Sequence, residues 1–386
     1  MNSYLTWAEI DLKAVSHNVR ELRKITNPNA ELMAVVKANA YGHGLLEVAG
    51  TALENGADSL GVARLCEGKK IREAGFDAPI LILGYTPLSD AEEIVKYDLT
   101  QTVCSFDNAY VLSEAAGNIG KKIKIHLKVD TGMGRLGLLS DKLVQTDALN
   151  ADDHGAVTEV ESIFKLPGTE LEGIFTHFAT ADSNDKKYAK KQMELFSDFI
   201  DTLSKAGIEI PVKHAANSAA VIDMPESHLD MVRTGISLYG LYPSNEVNKN
   251  RISLLPAMEF KSKIVHLKSV PEGFKVSYGA SYETEKATNI ATIPVGYADG
   301  YNRLLSSKGQ MIICGKKAPV IGRVCMDLTM LDVGHIPDAA LEDEVVIFGK
   351  QGDVSITADE VASSLKTINY EVVSTITERV PRIFLK

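Results

Sequence analysis

The chain has little of what ties a protein to a metal, a membrane or a nucleic acid. Its 386 residues include only 4 cysteines, Cys66, Cys104, Cys314 and Cys325. They are scattered, with no pair at metal-ligand spacing, so neither a zinc module nor a disulfide framework is expected, and no metal. No apolar run approaches the roughly 20 residues a membrane span needs. Met1 to Asp11 contains neither the basic segment nor the apolar core of a secretory leader. A formal net charge of −10 argues against nucleic acid and against anionic membrane surfaces, because both require a basic patch. Internal repeats and low-complexity segments are also missing. A reducing, cytoplasmic setting is the expectation.

What is present describes a globular enzyme of ordinary composition, 45% apolar and 24% charged. At this length a single core is outgrown, and two domains are expected. Up to about residue 240, brief apolar strands alternate with longer amphipathic stretches. The predicted strands are Leu32 to Lys37, Ser59 to Ala63, Pro79 to Leu83, Gln101 to Cys104, Lys122 to Val129, Leu171 to Phe175, Pro211 to Ala215 and Met231 to Arg233. Helical patterns lie between most of them, including Leu45 to Glu54, Leu65 to Ala74 and Tyr188 to Ser204. This alternation predicts a parallel sheet of α/β class, and eight strands favour a closed (β/α)8 TIM-type barrel over a doubly wound open sheet.

Pro243 to Asn250 reads as a linker, and the texture then changes. Lys263 to Leu267, Ala291 to Val295, Gln310 to Ile313, Pro319 to Val324 and Val345 to Phe348 are predicted strands with few helices between them. The expected division is a barrel over 1–242 and a mainly β domain over 243–386, with the first ten or so residues available to pair with the β domain.

Lys37 ends the apolar run Leu32-Met-Ala-Val-Val-Lys and opens the turn Ala-Asn-Ala-Tyr41-Gly-His-Gly. An ammonium group is costly to desolvate. A lysine kept there either lets its head snorkel to water or loses its proton and becomes a nucleophile toward carbonyls. The strand 122–130 alternates strictly, with Ile123, Ile125, Leu127 and Val129 on one face and Lys124, His126, Lys128 and Asp130 on the other. In a barrel the apolar face meets the helices, which turns a charged face toward an interior usually filled by branched apolar side chains. It runs into Thr131-Gly-Met-Gly-Arg135-Leu-Gly137, which presents a guanidinium suited to gripping a carboxylate or phenolate; a surface arginine is the competing reading.

Other strand ends lead into His177 and Asp182, into Ser218, and into Arg233-Thr-Gly235. Ser218 and Gly235 follow the seventh and eighth strands, where barrel enzymes bind phosphate with backbone amides. A lysine at the first strand and a phosphate site after the last two suggest pyridoxal 5′-phosphate, whose aldehyde needs an amine and whose phosphate needs an anion pocket.

At this point the residues resemble the alanine racemase family. The match runs through Ala34 to Gly44, Lys128 to Arg135, His177 to Asp182, Arg233 to Gly240, Val276 to Gly279, Pro294 to Tyr301, Arg323 to Asp327 and Asn369-Tyr370-Glu371, in the family's order. The resemblance implies a fold-type III pyridoxal-phosphate enzyme in a head-to-tail homodimer. Its activity would be interconversion of L- and D-alanine by two bases, which supplies D-alanine for peptidoglycan. It also implies that Lys37 holds the cofactor covalently, and that Tyr41, Ser218, Gly235, Ile236 and Tyr370 bind its phosphate. Arg233 would face the pyridine nitrogen, with His177 hydrogen-bonded near it. Arg135 and the backbone of Met326 would receive the substrate carboxylate. Lys128, carbamylated in many members, would orient Arg135. Tyr278 of the partner subunit would be the second acid/base. Asp182, Tyr297, Arg303, Arg323 and Asp327 would support the site.

Arginine carries donors only and does not lose its proton, so a pyridine nitrogen facing Arg233 stays unprotonated and the ring is a restrained electron sink. Leu328 stands where the family often has glutamine, which alters the surroundings of the substrate carboxylate. A decarboxylase of the same fold type normally sets a carboxylate against the pyridine nitrogen and uses a cysteine as acid, unlike Arg233 and Tyr278. A non-catalytic pyridoxal-phosphate protein would lack the β domain. A racemase of serine or of several amino acids is the alternative that the motifs leave open.

Overall fold

The computed structural model describes residues 4–139 and 155–386. The chain divides into two compact units, one of residues 14–40 and 45–255, the other of residues 1–13, 41–44 and 256–386.

The first unit is built on eight strands, here β1 (Glu31–Val35), β2 (Ser59–Val62), β3 (Ile80–Ile82), β4 (Thr100–Val103), β5 (Ile123–Asp130), β6 (Thr169–Phe175), β7 (Val212–His214) and β8 (Met231–Thr234). All neighbouring pairs are parallel. Pairing of β8 with β1, and of β4 with β5, leaves no free edge, so the sheet is a closed barrel. Its strands are buried almost throughout, as a sheet covered by helices outside and filled by side chains inside must be. The helix Leu45–Glu54 follows β1, Leu65–Glu73 follows β2 and Lys187–Lys205 follows β6, close to the expected spans.

The barrel is irregular at one place. Ile125 of β5 pairs with Leu171 of β6, but the next residue, His126, pairs with Gly173, so Glu172 is an extra residue bulged out of register. Gly173 is required there: a Cβ on it would stand 2.5 Å from the His126 ring.

The second unit is mainly β. A seven-stranded sheet runs in the order Lys316–Pro319, Gln310–Ile313, Glu344–Gln351, Met258–Lys263, Thr6–Asp11 and Arg382–Leu385, with Val354–Ile356 paired beside Glu344–Gln351. Thr6–Asp11 lies antiparallel to Met258–Lys263 and parallel to Arg382–Leu385. Buried Lys261 in this sheet is held by Glu9 at 2.7 Å and Glu259 at 2.9 Å, with Glu344 at 3.8 Å. A three-stranded sheet is formed by His266–Val270, Thr288–Ile293 and Thr329–Asp332.

Two strand expectations in this unit need correction. Lys263 to Leu267 is not one strand: Met258–Lys263 ends there and His266–Val270 begins, in different sheets. Of Pro319 to Val324, Pro319 closes a strand and Val320 makes one isolated bridge to Leu331, after which Gly322 turns the chain at φ 71°.

Candidate active site

Lys37 comes just after β1, and the backbone beyond it does something rare. Ala38, Asn39 and Ala40 are all left-handed, with φ/ψ of 54/49°, 55/46° and 53/52°, and Tyr41 follows at φ 52°. Each such non-glycine residue costs about 1–2 kcal/mol, so the turn needs outside support. Glu67 supplies it: one carboxylate oxygen accepts the Ala38 N–H at 2.6 Å, and the other accepts those of Ala63 at 2.8 Å and Arg64 at 3.1 Å. The Asn39 side chain accepts the Leu45 N–H at 2.9 Å and so caps the next helix. Lys37 itself is half-buried. Its pKa is lowered by burial first and by the Arg135 cation second, with Glu67 opposing.

The inward face of β5 is charged, as the alternation predicts, although its first member, Lys124, is exposed. Lys128 is buried, with Nζ 5.2 Å from the Phe175 ring centre. Burial, then Arg233, then Arg135 bring its pKa down to about 8. Asp130 ends the strand, and one of its oxygens accepts the N–H groups of Gly132, Met133 and Gly134 at 2.9, 2.8 and 3.1 Å. That carboxylate shapes the turn from which exposed Arg135 projects. Beyond Leu139 this loop lies outside the described residues.

Arg233, on β8, is buried and well anchored. It donates to the Thr176 carbonyl at 2.8 Å, the Ala215 carbonyl at 3.1 Å, His177 Nδ1 at 3.1 Å and His214 Nδ1 at 2.9 Å. Its flat group sits 5.2 Å from the Phe175 ring centre, and Phe175 stacks on His214 at 4.7 Å. Burial and Arg135 lower the Arg233 pKa to about 9, which leaves it a cation at neutral pH. Burial and the surrounding cations, Arg233 first among them, push His177 well below the ordinary histidine range, so its ring is neutral. Gln192 holds the neighbouring segment, accepting the Ala179 N–H at 2.9 Å and donating to the His177 carbonyl at 3.1 Å.

Past β7 and β8, Ser218 Oγ accepts the Gly235 N–H at 2.8 Å and the Ser237 N–H at 3.5 Å. Ile236 is buried beside them. The Ser237 hydroxyl is buried with no hydrogen-bond partner among the described residues. Asp182 does not join this cluster; its carbonyl accepts from Ser244.

The remaining candidates belong to the mainly β unit. Tyr41 and Tyr370 have ring centres 6.2 Å apart. The left-handed segment continues into Gly42, where a Cβ would collide with the Val373 carbonyl oxygen. Tyr278 lies in a turn after Ser277 and is 70% exposed. Ser277 donates to the Arg323 carbonyl at 2.6 Å, which ties the Tyr278 turn to Arg323 and Met326. Tyr297 and Ala298 donate from their backbones to Cys325 and Met326 at 3.1 and 3.0 Å. Met326, Tyr297 and Leu328 are all exposed. Asp327 pairs with Arg379 at 2.9 Å, while Arg303 stands exposed in its own short turn.

Sequence reasoning did not single out His214, Glu67, Gln192 or Glu172. His214 had a usable signal, a polar residue ending a barrel strand. The other three act from a helix or a bulge, where spacing carries no mark of the contact.

The site thus sets an amine of lowered pKa, a buried guanidinium and a neutral imidazole at the strand ends of a closed parallel barrel. Family models for the alanine racemase N-terminal and C-terminal domains match residues 10–243 and 257–384. The alanine racemase of Desulfosudis oleivorans is 55% identical over all of this chain and 97% of its own length. The solved alanine racemase of Clostridium difficile superposes with a TM-score of 0.93 at 41% identity, covering 100% of this chain and 97% of that one. A histidine racemase from Leuconostoc mesenteroides has a TM-score of 0.88 at 28% identity, covering 100% and 99%. The chain belongs to the alanine racemase family. Among the described residues, no helix is long and apolar enough to cross a membrane.

Proposed function

We propose that this protein racemises alanine with pyridoxal 5′-phosphate, as a cytoplasmic homodimer supplying D-alanine for peptidoglycan. The observation that carries the cofactor is Arg233. Of its five N–H groups, Nε–H and one Nη1 hydrogen have no partner among the described residues. A buried guanidinium with donors to spare fits an unprotonated pyridine nitrogen. The unpartnered Ser237 hydroxyl, beside Ser218 and the Gly235 and Ile236 turn, fits a phosphate, to which Tyr41 and Tyr370 would add their hydroxyls. Pyridoxal phosphate would supply electron withdrawal from the substrate α-carbon, which acidifies its hydrogen.

The chain's own groups do the rest. Lys37, its pKa lowered by burial and Arg135, holds the cofactor at rest and moves the proton on one face of the α-carbon. Tyr278, supplied by the partner subunit, serves the opposite face; its high exposure in a single chain supports a role in trans. Arg135 and the Met326 amide receive the substrate carboxylate. Lys128, with a pKa of about 8, is partly neutral at physiological pH. The neutral amine can add to carbon dioxide and lose a proton, which turns a cation beside Arg135 into an anion that orients it.

A broader substrate range is the second reading, and the histidine racemase at a TM-score of 0.88 favours keeping it. Circular dichroism on a panel of L-alanine, L-serine and L-histidine decides between them. Alanine should turn over fastest, with activity lost in Lys37→Ala and cut at least a hundredfold in Tyr278→Phe. Serine or histidine running faster would overturn the alanine assignment.

A further inference from the structure

The polar chain behind Arg233 does not stop at His214. His214 Nε2 lies 2.9 Å from His126 Nδ1, and His126 Nε2 lies 3.2 Å from Glu172. Both imidazoles are buried. Arginine can only donate, so His214 Nδ1, which faces Arg233, must be an acceptor without a proton. A neutral His214 then carries its proton on Nε2 and donates to His126 Nδ1. By the same logic His126 carries its proton on Nε2 and donates to Glu172. A second proton on either ring would set two N–H groups against each other. Geometry alone therefore assigns both tautomers and gives the chain one direction, from Arg233 to a carboxylate.

Two local features exist to make the last link. The bulge places Glu172 out of register beside His126, and Gly173 leaves the space that the imidazole fills. The carboxylate is half-buried and lines a cavity of about 120 Å³ with Asp98, Thr100, Lys122 and Lys124, toward the N-terminal ends of the strands. The His126 hydrogen bond, against the cost of burial and with help from Lys124, holds its pKa down to about 2. Burial keeps His126 and His214 neutral.

We infer that Glu172 is a positioning residue for Arg233: it accepts a hydrogen bond from the proton that Arg233 forces to the far end of the chain, on His126 Nε2, and so holds both rings in line and the guanidinium as a donor toward the cofactor ring. The second half of that statement rests on the proposed cofactor reading; the tautomers do not.

Cofactor-free protein labelled with [15N]histidine provides the test, because two-bond 1H–15N correlations report each ring's tautomer. At pH 7 both His126 and His214 should be Nε2–H. An Nδ1–H or doubly protonated ring at either position overturns the inference with no variant needed. Glu172→Leu removes the terminal acceptor, so both rings should stay Nε2–H while the His126 Nε2–H proton loses its downfield, hydrogen-bonded shift, whereas Glu172→Gln, which still offers an oxygen, should keep that shift. A folded Glu172→Leu protein with an unchanged His126 Nε2–H shift also overturns it. With pyridoxal phosphate added, Glu172→Leu should shift the visible absorption band and lower kcat about tenfold at constant KM, the size of effect outer hydrogen-bond partners have elsewhere. An unshifted band in a protein that has lost the His126 Nε2–H hydrogen bond would overturn the positioning role. A protein that takes up no pyridoxal phosphate would instead sink the cofactor reading and leave the tautomer assignment standing.

Discussion

Lys128 shows how one buried side chain couples the site to stability. Its pKa is lowered from 10.5 to about 8. The folded protein therefore binds fewer protons than the unfolded chain between those two values, and stability must rise with pH across that window. The contribution is fully present above about 10.5 and is lost as pH falls through about 8. It amounts to about 3.5 kcal/mol at full extent, since each pKa unit is about 1.4 kcal/mol. Urea unfolding of the cofactor-free protein in carbonate-free buffer should show this rise between pH 8 and 10. Lys128→Met should flatten it and be the more stable protein at pH 7. An unchanged slope in the variant would mean that Lys128 is solvated. The residue scale was also where the sequence spoke most directly. The alternation in β5 already set Lys128 and His126 on an unusual inward face, whereas Glu172, one residue out of register, carries no periodic mark.

At the scale of elements, the barrel strands were legible because each is a short apolar run followed by a helical pattern. The β unit was less so. Apolar alternation says that a residue is half-buried but not which sheet it joins, which is why Lys263 to Leu267 read as one strand and spans two. Two-residue strands such as Lys275–Val276 are too short to show any period. The left-handed turn after Lys37 was invisible for another reason: its residues, Ala-Asn-Ala, have no conformational signature except Asn39. That turn predicts its own relief. Ala38→Gly should raise stability by about 0.5–1 kcal/mol, because removing about 1–2 kcal/mol of strain outweighs the flexibility glycine adds to the unfolded chain. The urea midpoint measures it, and a fall would mean that Glu67 and its three amide bonds leave no strain to relieve.

For the whole molecule, the sheet of the β unit joins segments from both ends of the sequence. Lys261 links three of its strands by facing Glu9, Glu259 and Glu344. Its pKa stays raised despite burial because the two closest carboxylates hydrogen-bond it. Lys261→Met would leave three carboxylates without their shared cation, at a cost of about 2 kcal/mol after allowing for their partial exposure. The loss should appear in the melting temperature at pH 7 and shrink at high salt, which screens the repulsion between the carboxylates. A deficit that does not depend on salt would point to lost packing instead.

The order of that sheet has a further consequence during synthesis. Thr6–Asp11 leaves the ribosome first, yet its partners are Met258–Lys263 and Arg382–Leu385. At about 5–20 residues per second, the nascent strand waits roughly ten to fifty seconds for its first neighbour. The second follows only after roughly another hundred residues. Over the first interval all eight barrel strands are made, while the earliest strand still has neither of its sheet partners. Synthesis of Arg382–Leu385, not that of the barrel strands, is therefore the step that completes this sheet.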